Sequence, residues 1–229
     1  MIKSIGLSLV PYSNILAKIA GTLTSLQFLS GFFFLNDIRK KNSTIGFPVW
    51  PFLGGIVLCA ISLKFGVIIR DDAMIKVNFL GFALNIVFMM VFYYFTPNEN
   101  KLKLWGQIGL SGLFTAGCFA YADWENPNLV EFRLGMLITI VLVFLVGSPL
   151  LSLGDIMKKR STEGLPFAMI FSGTLVSASW MLYGFSILND LMVFQNAFLL
   201  FLSGIQLSLF AIYPSSANKN DNIRDKKTK

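Results

Sequence analysis

The chain has 229 residues, of which 55% are hydrophobic and 14% charged, against roughly 45 to 50% and about 25% in an ordinary soluble domain. It contains no histidine and two cysteines, Cys59 and Cys118, each inside an apolar run, which excludes histidine-based acid/base chemistry, zinc knuckles and a disulfide framework. The net charge of +7 sits in connections between apolar runs and not on one amphipathic face, so it reports topology and not a nucleic-acid partner.

Apolar runs predict seven membrane spans, at 15–35, 49–69, 73–95, 104–122, 134–153, 166–188 and 191–213, each near the roughly 20 residues that a bilayer core requires. The first run is too long for a cleaved signal peptide and lacks its small-residue cleavage pattern. Residues 215–229 carry Lys219, Arg224, Lys226, Lys227 and Lys229 among Asn and Asp, the composition of a disordered tail.

With the N-terminus extracellular, the cytosolic connections and tail hold Arg39, Lys40, Lys41, Lys101, Lys103, Lys158, Lys159, Arg160 and the five tail cations, thirteen of nineteen. The positive-inside rule therefore selects that orientation, with a cytosolic C-terminus. The other side receives Lys3, Arg70, Lys76 and Arg133 with Asp71, Asp72, Asp123, Glu125, Glu131 and Asp190. Lys18 and Lys64 fall near the outer ends of spans, where long side chains snorkel to the interface.

Asn36 to Pro48 reads NDIRKKNSTIGFP and Gly154 to Pro166 reads GDIMKKRSTEGLP, identical at eight of thirteen positions with an offset of 118. Both are polar connections, so apolar bias does not produce the match. The same offset pairs Gly66 with Gly184, Asp72 with Asp190 and Asn78 with Asn196. Two three-span units therefore flank a fourth span. Because three is odd, the extra span restores a parallel relation between the units and puts both KK-x-S-T connections on one side. The predicted organisation is a first triple-helix bundle over 1–103, a linker helix over 104–122, a second bundle over 123–214 and the tail.

Parallel repeats about an axis along the membrane normal are a transporter architecture with the substrate near midplane between them. At about 1.5 Å per residue, Asn78 and Asn196 lie roughly 8 Å from the outer ends of their helices, and Ser62 and Trp180 roughly 10 to 12 Å. Four helices thus bring polar or aromatic groups to one depth. Asn85 and Ser203 extend each stripe two turns further. Trp180 alone would be explained by packing, and the asparagines by helix-to-helix hydrogen bonds of about 0.6 kcal/mol each. As a set they suit a neutral polyol: amides pair with hydroxyls, and an indole offers a flat face to a pyranose ring. No predicted span contains Asp or Glu, with Asp37 and Asp155 just beyond inner ends, so neither a coupling ion nor any cofactor or metal is expected.

These residues resemble the SWEET sugar transporters, as an animal-type member, over 15–213. The resemblance is carried by KKNSTIGFP, KKRSTEGLP, VNFLG at Val77 to Gly81, SASWMLYG at Ser177 to Gly184 and QNAF at Gln195 to Phe198. It implies an all-α membrane protein of seven transmembrane helices, two parallel three-helix bundles joined by a linker helix, that moves sugar by facilitated alternating access. Carried over by position, it implies substrate contacts at Ser62, Asn78, Trp180 and Asn196, hinges at Gly31, Pro51, Pro149 and Pro166, and an outer gate at Phe65, Tyr183 and Asp190. Gly31 stands where the family has proline. Span two offers both Pro48 and Pro51: the ungapped repeat selects Pro48, and the family spacing to Ser62 and Gly66 selects Pro51, the expected hinge. Phe65 replaces a common gate tyrosine, so no hydroxyl there can reach Asp190.

The expected partners are a small sugar and the lipid bilayer, with a homo-oligomer compatible. The plasma membrane is the expected address, an internal membrane being the alternative. Competing readings are a carrier of another small neutral or amino-acid-like solute on the same fold and a seven-helix receptor. A receptor would not be expected to carry the parallel repeat, and the chain has no D-R-Y or N-P-x-x-Y segment. An intramembrane enzyme lacks any nucleophile and base pair to propose.

Overall fold

Inside a bilayer every backbone N–H and C=O must find its partner within the segment, so long apolar runs fold as helices. The computed structural model describes residues 2–147, 162 and 167–213, and all regular elements among them are helical. They are α1 (Ile2–Leu9), a 3₁₀ turn (Val10–Tyr12), α2 (Ser13–Leu29), α3 (Gly31–Lys41), α4 (Trp50–Ile68), α5 (Asp72–Tyr94), α6 (Asn98–Trp124), α7 (Pro127–Gly147), α8 (Phe167–Ser186) and α9 (Asp190–Ile212). Among the described residues six segments are long and apolar enough to cross a membrane: Gly6–Lys41, Trp50–Ile68, Asp72–Tyr94, Pro127–Leu145, Phe167–Ser186 and Asp190–Ile212. The seventh predicted span lies in α6, which at 27 residues is about 40 Å long. Gly106, Gly109, Gly112 and Gly117 with Gln107, Ser111 and Thr115 keep it less apolar than the others.

Besides α6, which extends beyond 104–122 at both ends, two helical segments outrun their predicted spans. The first crossing segment has 36 residues, about 54 Å, against a hydrocarbon core of about 30 Å. Pro11 lies in the 3₁₀ turn between α1 and α2, and a second interruption falls at Ser30 between α2 and α3. α7 begins at Pro127 and not near 134. Asn126 Oδ1 accepts from the Asn128 N–H at 2.9 Å, and proline is pre-organised for the first helical position. Arg133, in the early part of this helix, is tolerated because it pairs with Glu125 at 2.6 Å. The expected hinges Pro149 and Pro166, the tail and most of the second KK-x-S-T connection lie outside the described residues.

The described residues fall into two compact units, one within 14–145 and the other combining those of 1–13 and 146–229. The first holds a buried cluster of Leu35, Ile38, Val49, Phe52, Leu53, Phe88, Met89, Phe92 and Leu104, contributed by α3, the start of α4, the end of α5 and α6. Phe52 touches Phe34 and Phe92 at centroid distances of 5.3 and 5.8 Å with edge-to-face geometry, the arrangement that the ring quadrupoles favour. In the second unit α8 and α9 form a hairpin, and α1 packs on α8. Large apolar side chains such as Phe33, Leu113, Phe144 and Phe201 remain exposed, as lipid-facing surfaces require.

The sequence repeat recurs atom by atom in the two hairpin turns. Asp71 caps α5 by accepting from the Met74 N–H at 2.9 Å, and Asn189, 118 residues on, caps α9 by accepting from the Met192 N–H at 2.9 Å. The Asp71 N–H donates to Gly66 O at 2.9 Å and the Asn189 N–H to Gly184 O at 3.0 Å. Arg70 and Leu188 each adopt a left-handed φ of 57°. A Cβ on Gly66 would lie 3.3 Å from the Ile75 backbone nitrogen, and one on Gly184 3.2 Å from that of Val193. Glycine at both places lets the second helix of each hairpin close onto the first.

Candidate substrate site

The close approach at Gly66 and Ile75 sets the height of the candidate residues in the first unit. Ser62 lies four residues before Gly66 on α4 and Asn78 three after Ile75 on α5, roughly 6 and 4.5 Å below that contact. The second unit repeats the arrangement, with Trp180 four residues before Gly184 on α8 and Asn196 three after Val193 on α9. Each hairpin therefore brings its pair to one level, Ser62 with Asn78 and Trp180 with Asn196.

Asn78 Nδ2 donates to Met74 O at 2.9 Å, and Asn196 Nδ2 donates to Met192 O at 2.8 Å. That bond uses one of the two amide N–H groups and leaves the carbonyl oxygen and the second N–H for another partner. Both asparagines are half-buried, whereas Ser62 is buried. Trp180 is half-buried and meets Tyr183 edge to face, with centroids 5.7 Å apart and planes at 73°. Tyr183 and its repeat mate Phe65 are both buried one turn nearer the hairpin end, and Asp190 is exposed in the first turn of α9.

Two residues of the predicted polar stripes have a different setting. Asn85 is buried, donates from Nδ2 to Gly81 O at 2.8 Å, and presses so closely on α4 that a Cβ on Gly55 would fall 2.4 Å from its Oδ1. Its repeat mate Ser203 is also buried. Asn85 thus packs α5 against α4, while its hydrogen bond to Gly81 O stays within α5.

The hinge candidates differ in position. Gly31 opens α3 just after the interruption at Ser30, and a Cβ there would meet the buried Phe88 ring at 2.4 Å, so close packing itself requires glycine. Pro51 sits in the first turn of α4, where a missing N–H removes no helical hydrogen bond.

Lys64 pairs with Asp123 of α6 and lies 5.9 Å from the centroid of Phe119. Ser62 and Lys64 are about 200° apart around the helix, so this charge is met by the linker helix. Beyond it, Glu125 accepts from the Tyr121 hydroxyl at 2.6 Å, the Asn126 N–H at 2.9 Å and Arg133 Nη1 at 2.6 Å. Those donors, Tyr121 foremost, pull the Glu125 carboxyl down to about 2. Its contribution to stability is therefore fully present above the ordinary carboxylate range and is lost progressively as pH falls from there through about 2.

The sequence reading missed Gln195 and Gln206, buried on α9, and the buried threonines Thr44, Thr96 and Thr162. Thr44 and Thr162 could have been found, because they occupy equivalent places in the repeated connections.

A family model described as a sugar efflux transporter for intercellular exchange matches residues 14–100 and again 132–218, two copies separated by the same 118 residues. The sugar transporter SWEET1 of Drosophila pseudoobscura pseudoobscura is 29% identical over 211 residues, covering 91% of this chain and 92% of that protein. The bidirectional sugar transporter SWEET2b of Oryza sativa subsp. japonica is 30% identical over 217 residues, covering 90% and 92%, and human SWEET1 is 26% identical over 194, covering 85% and 88%. The solved structure of a eukaryotic SWEET transporter superposes with a TM-score of 0.76 at 26% identity, over 88% of this chain and 98% of that one. With the doubled profile match, the three-one-three arrangement of seven helices and the KK-x-S-T connections, the chain belongs to the SWEET family, among its animal-type members.

Proposed function

We propose that the protein is a facilitative, bidirectional sugar carrier that moves mono- or disaccharides across a membrane by alternating access. The observation that carries this reading is the duplicated hairpin, in each copy of which the pair, Ser62 with Asn78 or Trp180 with Asn196, lies the same number of residues from its own glycine contact. Relatives named as sugar transporters support the same substrate class. In this reading the two amides and the Ser62 hydroxyl pair with sugar hydroxyls, and the Trp180 indole supports the C–H face of the ring. Phe65, Tyr183 and Asp190 form the outer gate, and Gly31, Pro51, Pro149 and Pro166 serve as pivots. The rocking bodies are the bundles of 1–103 and 123–214, joined by the linker helix 104–122. No covalent step is involved, so the protein acts as a carrier and not as an enzyme. Uptake of a panel of radiolabelled mono- and disaccharides, with amino acids as the contrast, tests the reading; uptake of amino acids alone would replace it.

Transport is expected to be uncoupled and to run in either direction. The predicted spans contain no Asp or Glu, the chain has no histidine to carry protons near neutral pH, and Lys64 is engaged by Asp123. Sugar efflux from preloaded vesicles should match uptake and be unchanged by a protonophore or by sodium replacement. Accumulation above the external concentration that collapses with either gradient would reveal a coupling ion.

The same proposal places the protein in the plasma membrane with the N-terminus outside and the C-terminus in the cytosol. Asn42 then provides a topology test. It heads an Asn-Ser-Thr acceptor sequence and is exposed at the C-terminal end of α3, beside Arg39, Lys40 and Lys41. It should carry no glycan, because its connection faces the cytosol. A glycosidase-sensitive mass shift abolished by Asn42→Gln would reverse the orientation.

A further inference from the structure

The most alike segments of the two repeats are the KK-x-S-T connections, which contain none of the proposed substrate residues, and their threonines give a physical reason. Thr44 Oγ1 donates to Thr96 Oγ1 at 3.3 Å, and Thr96 Oγ1 donates to Phe92 O at 2.8 Å. Thr44, in the connection after α3, is thereby fastened to the end of α5, where the last helical carbonyls lack intrahelical partners. In the other unit Thr162, 118 residues on, donates to Tyr213 O, at the end of α9, at 2.9 Å. Position 214, the repeat mate of Thr96, is proline and has no hydroxyl, and there the threonine bonds the backbone carbonyl directly. All three threonines are buried, Thr162 to 2% exposure. Two units that differ in their side chains at this seam thus keep the same connection.

We propose that Thr44 and Thr162 are positioning residues for transport, each latching the connection between the first and second spans of its repeat onto the inner end of the third, so that each bundle pivots as one body. The inference rests on the alternating-access reading above. Alternating access by rocking requires the inner ends of a bundle to move with the outer halves that carry the substrate residues. A loose connection would let the third helix pivot while the first and second lag, which slows the conformational step without altering the sugar contacts.

The test uses the full chain reconstituted in liposomes, with sugar exchange and equilibrium sugar binding measured side by side. Thr44→Val and Thr162→Val keep shape and remove the hydroxyl. Each should lower turnover about three- to tenfold, the weight of one neutral hydrogen bond, with the dissociation constant for sugar unchanged. Thr44→Ser and Thr162→Ser should restore the rate. Thr96→Val should slow turnover as Thr44→Val does, and the double variant should be no slower than either alone. Wild-type turnover in both valine variants, or a loss of affinity with turnover kept, would overturn the latch. Should the valine variants fail to fold, Thr44→Cys with Thr96→Cys closes the same seam covalently. Oxidation of that pair should leave exchange intact, and a block released by reductant would show that the seam opens during the cycle and would refute the proposal. Lack of exchange by the unmodified protein would instead remove the transport reading, so the two failures are distinct.

Discussion

Trp180→Ala and Asn196→Ala are each expected to reduce sugar uptake about tenfold or more while the protein still reaches the membrane in normal amount. Removing the indole takes away an apolar platform whose burial is worth about 1.5 to 3 kcal/mol, and about 1.4 kcal/mol is a factor of ten. Removing the Asn196 amide deletes hydrogen bonds to a polyol at about 0.5 to 1.5 kcal/mol apiece. Its bond to Met192 O stays within one helix and adds little to the bundle. Asn78→Ala should behave as Asn196→Ala does. Asn85→Ala provides the contrast, because its buried amide fills the contact between α5 and Gly55 of α4; it should lower abundance and thermal stability more than the rate per molecule. Uptake corrected for surface protein checks all four, and wild-type rates in the Trp180 and Asn196 variants would place the site elsewhere.

Gly81→Leu is expected to abolish folded protein. A Cβ at that position would lie 2.4 Å from the Phe28 ring of α2 and 2.8 Å from Cys59 Sγ of α4, so three helices converge on one hydrogen atom. Adding methylenes to a packed interior costs about 1 to 3 kcal/mol, and more when no neighbour can yield. Gly112→Leu on α6, where a Cβ meets nothing within 4 Å, should leave the melting temperature near wild type. Thermal unfolding of both variants in detergent, followed by size-exclusion chromatography, separates them. Equal stability of the two would mean that α2, α4 and α5 pack differently from this description.

Seven apolar runs and one repeated connection carried most of the architecture, because a helix in lipid has few alternatives and a polar loop has no apolar bias to mimic kinship. The levels of Ser62, Asn78, Trp180 and Asn196 along their own hairpins were legible as well, since helical rise converts residue number into depth. Legibility failed where a partner from elsewhere in the chain changes what a residue means. Arg133 looked like the end of a span until Glu125 supplied its countercharge, and the Asn126-Pro127 start signal was present but unused. Lys64 read as a snorkelling side chain because Asp123, 59 residues away, cannot be assigned to it from periodicity. Asn78 and Asn85 share a stripe, yet only the packing against Gly55 separates a half-buried amide from a helix joint.

The least apolar of the long helices, α6, is also the one on which the parallel relation of the repeats depends. During synthesis a segment with four glycines and Asp123 near its end has less tendency than its neighbours to partition from the translocation channel into lipid. Were it left out, every later helix would enter upside down, with the second basic connection on the wrong side. The bond from Lys64 to Asp123 offers a remedy: α4 is already made when α6 emerges, and its lysine neutralises the acid that α6 brings. Assembly fidelity would then rest on the order in which helices leave the ribosome, with the first bundle acting as the docking surface that admits the helix after it.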